Sequence, residues 1–232
     1  MTEADVDVLV LIAHRIELAG LERLALAAGG PPHSAPAQLN GLRVAAAEVG
    51  VGLLAAGSGA ARALIALRPR AAVLLGSFGA FPGTAALPIG ALLVPTELRA
   101  IDEASLDGRA AFPSAMPHAV ACDAELGEGL AGHASGAARA SLATVLAITT
   151  DDALARALGE RSQCCGENLE AVAVALACSA AGVPFTALLA CTNEVGARGR
   201  GQWAAEHRGA AAATASVMLA WLAAGAPGLS PA

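Results

Sequence analysis

The chain has 232 residues, 56% of them hydrophobic and 15% charged, with a formal net charge of −6. That size and composition support a well-buried core in one domain, or at most two small ones, and exclude a disordered chain; the acidic balance argues against a nucleic-acid binder. There is no Tyr and no Lys, so all 14 basic residues are Arg, which removes a Lys Schiff base and a Walker-type phosphate lysine from consideration.

In chain order, Val6 to Ala13 is an unbroken apolar run and predicts a central strand covered on both faces. Ile16 to Ala28 predicts a helix, followed by a surface loop at Gly29–Ser34. Leu42 to Glu48 and Val51 to Leu54 read as short strands. Gly57-Ser58-Gly59 reads as the opening of a helix that ends near Arg68-Pro69. Ala71 to Ser77 and Ala91 to Glu97 predict further strands, and Arg99 to His133, with Pro113 and Pro117, reads as loop-rich. Leu142 to Thr149 predicts a strand, and Asp151 to Gly159 a short helix capped by Thr150 or Asp151. Glu167 to Ala181 predicts a helix, Phe185 to Thr192 a strand, and Trp203 to Ala223 a long terminal helix. The domain is expected to occupy residues 1–224, with a frayed tail at 225–232. Strands alternating with helices predict a single α/β domain, three layers deep, with a mixed central sheet.

The mean hydropathy of +0.59 raises the question of a membrane. Ala71 to Thr96 and Ala171 to Asn193 lack charges over spanning lengths. Each is interrupted, the first by Gly76, Gly79, Pro82, Gly83 and Pro88, the second by Gly182-Val183-Pro184. Buried strand-turn-strand and helix-turn-strand units account for both. The acidic start Met1–Asp5 does not resemble a secretory leader. The five cysteines, odd in number and without a CxxC, fit reduced thiols in the cytoplasm. Cys164-Cys165 reads as two small residues lining a pocket or packed in the core.

Several polar residues fall just beyond strand ends, where α/β sheets bind ligands. Glu17 follows the first strand, Ser77-Phe78-Gly79 the strand ending near Gly76, Thr149 the strand from Leu142, and Asn193 the strand from Phe185. Glu170 stands in the first turn of a helix. Neighbouring strands would bring all of them to one cleft. His118, His133 and His207 have no metal-ligand spacing, so no metal is expected. Gly57-Ser58-Gly59 lacks the full pattern of a serine nucleophile elbow.

Three segments then resemble the nucleoside phosphorylase and nucleosidase family. They are Val73–Ala80 followed by Ile89–Pro95, the run Glu167-Asn168-Leu169-Glu170, and Gly182-Val183-Pro184-Phe185 through Asn193. Thr144 to Asp152 and the stretch Thr192–Arg200 with Trp203 are most similar to the futalosine hydrolases of that family. The resemblance implies a nucleoside phosphorylase-like fold, a small-molecule nucleoside substrate, no cofactor, a homo-oligomer and N-glycosidic bond hydrolysis. For futalosine hydrolases it further implies release of hypoxanthine in menaquinone biosynthesis.

It also implies roles. Glu170 would accept hydrogen bonds from the ribose hydroxyls, with Leu169 and Asn168 beside it. Asn193 stands where adenine-specific members have an Asp, and would hold a 6-oxopurine leaving base. Glu17 would orient or deprotonate the attacking water. Ser77, Phe78 and Gly79 would form the pocket floor, and Thr149 part of its wall. The chain departs from the family pattern at Leu189, near the usual Arg, and at Leu169, Ala153 and Thr192. Two alternatives stay open. One is a phosphorylase, with Gly50-Val51-Gly52 as a phosphate loop and Arg43, Arg62 or Arg198 as its cation. The other is a nucleoside-binding protein without turnover. The competing structural readings are a solvated Glu170 or Glu17 in a helix first turn and an Asn193 that caps a turn.

Overall fold

Strand β1 (Val6–Ile12) is buried at every position, as an apolar run without polar alternation requires. The computed structural model describes residues 5–21, 36–83 and 87–230. The later strands are β2 (Ala37–Leu39), β3 (Leu42–Glu48), β4 (Pro69–Ala80), β5 (Leu92–Leu93), β6 (Glu97–Ala100), β7 (Ala119–Ala121), β8 (Ser141–Thr144), β9 (Gly166–Asn168) and β10 (Phe185–Glu194). The described helices are α1 (Leu53–Leu67), α2 (Glu103–Leu106), α3 (Ala124–Ala131), α4 (Asp152–Ser162), α5 (Ala171–Ala181) and α6 (Gly199–Ala223). A 3-10 turn, Arg15–Leu18, follows β1.

The strands make one mixed sheet in the order β2-β3-β1-β4-β9-β8-β6-β7, with β10 paired to β4 and β5 to β10. Alternate side chains of β1, β4 and β10 enter two separate cores, as the period of a strand dictates. Leu9, Leu11, Leu74 and Leu189 pack with residues of α1 and α5. Val8, Val10, Val73 and Leu188 pack on the other face with Leu126 and Leu130 of α3 and Met218, Trp221 and Leu222 of α6. Helices thus cover both faces of a mixed sheet, and the three-layer α/β/α domain expected from the sequence is the one observed.

The topology leaves one gap that matters. Pairing of β4 with β1 ends at Ile12 and Leu75. On its other edge β4 is held by β10 as far as Ala80. Strand β9 joins β4 only at Gly79 and Ala80. A strand has two edges, so β9 takes the edge that β1 leaves, and Gly76 to Phe78 lie between the two partners.

Several sequence expectations change in the folded chain. Val51 to Leu54 is not a strand; Gly50 and Gly52 have φ of 100° and 85°, which breaks an extended run, and α1 begins at Leu53. Gly57 and Gly59 therefore lie inside α1 rather than at its start. Gly59 is needed for close approach, since a Cβ there would come within 2.0 Å of the Val49 carbonyl oxygen. The expected strand at Ala91–Glu97 is two strands that pair with different partners, separated by Val94-Pro95-Thr96. The strand from Leu142 stops at Thr144. Glu167 is on β9, and the helix after it begins only at Ala171, with Glu170 as its N-cap residue. The loop-rich segment from Arg99 contains α2, β7 and α3, and the terminal helix starts at Gly199. Most of the helix expected at Ile16–Ala28, and the loop at 29–34, lie outside the described residues. No described helix is long and apolar enough to cross a membrane.

Residues 225–230, expected to fray, are docked instead. Trp221 is fully buried and its indole N–H donates to the Pro227 carbonyl at 3.0 Å. Ala226 is buried beside it. Trp221 is the largest fully buried side chain in an aromatic-poor protein, so Trp221→Ala is expected to cost about 3–5 kcal/mol. The urea midpoint, with unchanged slope, measures this; a loss below about 1 kcal/mol would show that the α6 core does not depend on it.

Candidate active site

A cleft of about 560 Å³ opens at the gap along β4. It brings together the residues given roles in the nucleosidase reading: Glu17, Ser77, Phe78, Gly79, Thr149, Asn168, Leu169, Glu170 and Asn193 all line it. Phe78 is 2% exposed and belongs mainly to the α1–α5 core, so it closes the floor rather than projecting from it.

Glu17 lies in the 3-10 turn after β1. Its Oε2 accepts from the backbone N–H of Ala13 at 2.9 Å and of His14 at 3.3 Å, while the His14 ring accepts from Ile16 N–H. This reciprocal capping box aims the carboxyl back towards β4. There it rests against Gly76, where a Cβ would lie 3.0 Å from Glu17 Oε1. The residue is half-buried, but its carboxyl tip is enclosed. Burial pushes its pKa up to about 7, with the charges of Glu170 and Glu48 adding to the rise and the backbone donors opposing it.

Glu170 is 6% exposed at the N-cap of α5. Its Oε1 accepts from the Gly52 N–H at 2.8 Å. Gly52 can present that N–H because its φ of 85° is open to glycine. Burial raises the Glu170 pKa, and the Gly52 hydrogen bond works against the rise. Asn168 is spent on holding this arrangement together. Its Oδ1 accepts from the N–H groups of Glu170 at 2.7 Å and Ala171 at 2.8 Å, and its Nδ2 donates to the Ser77 carbonyl at 3.1 Å. One amide therefore caps α5 and ties Glu170 to the open stretch of β4.

Glu167 is a cleft residue to which the sequence alone assigns no role. Its Oε1 accepts from Thr149 N–H at 2.9 Å and its Oε2 from the Thr149 hydroxyl at 2.7 Å. This pair holds the segment after β8 against β9, which is why the apolar run from Leu142 does not continue as a strand. Burial raises the Glu167 pKa, opposed by both Thr149 donors. The signal was present in the sequence as an acid three residues before Glu170.

Asn193 sits at a register shift where β10 passes β4. Its Oδ1 accepts from the Thr192 hydroxyl at 2.8 Å, and its Nδ2 donates to the Glu194 carbonyl at 3.2 Å. The carbonyl assigns the amide: nitrogen must face Glu194, leaving one Nδ2 hydrogen uncommitted. Gly79 and Gly199 make room for it, since a Cβ at either would come within 2.7 or 3.0 Å of Nδ2.

Val51, Ile148, Arg200 and Trp203 also line the cleft. Leu189, near the position of the family's Arg, is fully buried in β10 with its Cδ2 towards Gly76. Of the arginines considered for phosphate, Arg43 is bound to Asp7 and Arg198 to Glu194; neither they nor Arg62 line the cleft. Among the described residues, no group of three or more His, Cys, Asp or Glu is placed to hold a metal. All five cysteines are free thiols, and burial pushes Cys165 up to about 12.

The sequence profile of the phosphorylase superfamily matches residues 37–224, most of the chain. The chain belongs to this superfamily. No curated protein sequence matches it. Among solved structures, a Helicobacter pylori 5′-methylthioadenosine/S-adenosylhomocysteine nucleosidase complexed with a substituted pyrrolidin-3-ol superposes with a TM-score of 0.82 at 15% identity, covering 95% of this chain and 99% of that one. The Neisseria meningitidis enzyme of the same name, in complex with methylthio-immucillin-A, gives 0.81 at 20% identity, covering 94% and 99%. Native futalosine hydrolase of H. pylori gives 0.82 at 15% identity, covering 94% and 97%. Such likenesses establish the superfamily's fold over nearly the whole length.

The enclosed carboxyl of Glu17 predicts a pH-dependent stability. Its pKa rises from 4.5 to about 7 on folding, so the folded state favours the proton. The associated stability is present below about pH 4.5 and lost as the pH rises through about 7. Glu17→Gln, uncharged and of the same shape, is therefore expected to be more stable than the wild type at about pH 8, by up to ~3 kcal/mol, and equal to it near pH 4. Urea unfolding at the two pH values checks this; equal stability at pH 8 would mean that the carboxylate is well solvated.

Proposed function

We propose that the chain hydrolyses the N-glycosidic bond of a 6-oxopurine ribonucleoside, in the manner of a futalosine hydrolase, releasing hypoxanthine for menaquinone biosynthesis. The observation that carries this reading is the meeting of Glu17, Glu170 and Asn193 in one cleft of a phosphorylase-superfamily fold. The solved nucleosidases and futalosine hydrolase of similar fold support it.

Gly76 and Gly79, beside which Glu17 and Asn193 lie, are three residues apart on β4, roughly 10 Å along a strand. The uncommitted Nδ2 hydrogen of Asn193 donates to N7 of the base and stabilises the negative charge it acquires on leaving. The free lone pairs of Glu170 accept from the ribose hydroxyls, and its charge favours the oxocarbenium-like sugar. Glu17, with a pKa close to neutral, takes a proton from water on the face opposite the base. Asn168 acts as a positioning residue, and Leu169, Ser77, Phe78, Gly79 and Thr149 shape the pocket.

Water is favoured over phosphate as nucleophile by two hydrogen-bonding facts. The Gly52 N–H of the expected phosphate loop is already committed to Glu170. The candidate arginines are paired elsewhere or outside the cleft. A panel of inosine, adenosine, methylthioadenosine and futalosine, assayed for free base with and without phosphate, is expected to show phosphate-independent release of hypoxanthine. In Asn193→Asp, whose carboxylic acid can protonate N7, adenine release should rise at least about tenfold relative to hypoxanthine release. Fast adenine release by the wild type, or a requirement for phosphate, would contradict the reading; binding with no release at all would favour a nucleoside-binding protein.

We further propose that the protein works in the cytoplasm as a homo-oligomer. Leu54 and Ile65 on α1 are 78% and 79% exposed, and a second copy would cover such residues. Light scattering at micromolar concentration should give a mass at least double that of the 22.7 kDa chain; a monomer would refute the proposal.

A further inference from the structure

From Ala13 to Glu17, the stretch that carries the Glu17 carboxyl, every backbone N–H has an acceptor. Ala13 and His14 donate to Glu17 Oε2, Ile16 to the His14 ring, and Glu17 to the His14 carbonyl at 2.9 Å. Arg15 N–H reaches outside the turn: it donates to Glu48 Oε1 at 3.3 Å, while the Arg15 Nε lies 3.5 Å from Glu48 Oε2. Glu48 is the last residue of β3, paired with Ile12 at the end of β1. The chain just beyond it adds two backbone bonds, from Val49 N–H to the Ile12 carbonyl at 2.8 Å and from Gly50 N–H to the Ala13 carbonyl at 3.1 Å. The turn is thus tied to β3 by backbone at its root and by the Glu48 carboxylate at Arg15. Glu48 itself does not line the cleft.

We propose that Glu48 is a positioning residue for Glu17: it clamps the turn on which that carboxyl stands and places a like charge behind it. The inference rests on the reading of Glu17 as general base. Because Oε2 is taken by two N–H groups, Oε1 is the oxygen available to water, and it lies against Gly76. Its place therefore follows the turn. A general base must stand within hydrogen-bond reach of the proton it takes, and displacement by about 1 Å costs roughly 100-fold. The like charge acts in a second way. The titratable and charged groups that share the cleft or the turn with Glu17 are Glu167 of β9, Glu170 of α5, Arg200 of α6, and its neighbours His14 and Arg15. Burial favours the proton on Glu17, and the charges of Glu170 and Glu48 add to that effect. Glu170 faces the ligand, so Glu48 is the charge that adjusts the base without touching the ligand. The Arg15 side chain, 81% exposed, is screened by solvent and offsets that charge only in part.

The test compares Glu48→Gln and Glu48→Ala with the wild type by hypoxanthine release from futalosine and inosine as a function of pH. Glutamine keeps an acceptor for the Arg15 N–H and loses the charge; alanine loses both. Along the rising limb of kcat/KM Glu17 gives up its proton, and in Glu48→Gln this limb is expected to move to lower pH by about half a unit at low salt. About 1 M salt should erase most of the difference from the wild type. In Glu48→Ala, kcat and kcat/KM should fall together by at least about tenfold, because a misplaced base is felt in the transition state. Glu48→Gln should recover most of that loss. A limb that stays in place or moves to higher pH in Glu48→Gln overturns the proposal, as does an alanine variant as active as the wild type. So does a loss of kcat as large in Glu48→Gln as in Glu48→Ala. If neither nucleoside releases base, the proposed hydrolysis has failed, and a measurement without turnover decides Glu48. The rise in urea midpoint that Glu17→Gln produces at about pH 8 should be smaller in the Glu48→Gln background, where part of the repulsion on Glu17 is already gone. Equal rises in the two backgrounds overturn the proposal there as well.

Discussion

The cleft depends on one mismatch of strand lengths: β4 outruns β1. Once β1 ends at Ile12, the edge of β4 has backbone groups that need partners, and buried backbone groups rarely go without. The Asn168 amide meets part of that need by donating to the Ser77 carbonyl. The same side chain caps α5 and so places Glu170. Sheet, helix and ligand-facing carboxylate are therefore coupled through one amide. Gly76 and Gly79, which bracket the open stretch, let Glu17 and Asn193 come against the strand itself.

The second organising fact is that three acids are enclosed in one place without a salt bridge to any described residue. Each is held by uncharged donors: Ala13 and His14 N–H for Glu17, Gly52 N–H for Glu170, and the Thr149 N–H and hydroxyl for Glu167. Such donors lower the cost of burial without cancelling the charge, and burial still raises all three pKa values. Stability is given up here for enclosed acids whose proton affinity is raised, a common compromise at functional sites. The rest of the molecule supports the compromise with small residues. Gly57 faces Ala173 across the α1–α5 contact, and Gly59 lies on the Val49 backbone. Close helix packing by Ala and Gly replaces the bulk that an aromatic-poor sequence lacks, and Trp221 anchors the opposite core.

Much of this was legible in the sequence, for identifiable reasons. β1, β4 and β10 are long apolar runs buried on both faces, so hydrophobicity alone revealed them. Asp151 was readable as a helix cap because its side chain bonds the Leu154 N–H, an interaction local in sequence. The site residues were legible as polar positions at strand ends, together with a motif resemblance, and they do share one cleft. Elements whose form depends on distant partners were misread. Glu167 has helical neighbours in sequence, but its backbone pairs with Gly79 and its side chain with Thr149. Gly57 and Gly59 read as the opening of a helix, whereas both lie inside α1 and are packed against Ala173 and Val49.

By itself, then, the amino-acid sequence determined the layered α/β class, the principal buried strands and the identity of the polar groups available for chemistry. These follow from composition, hydrophobic period and local capping, all short-range properties. Only the tertiary structure decided which of those groups are free to meet a ligand. Asn168 is consumed by the fold, Glu167 is drawn into the cleft, Gly52 is committed to Glu170, and Arg200 is left without a partner among the described residues. Those assignments depend on contacts between residues far apart in the chain, and on the length by which one strand outruns its neighbour.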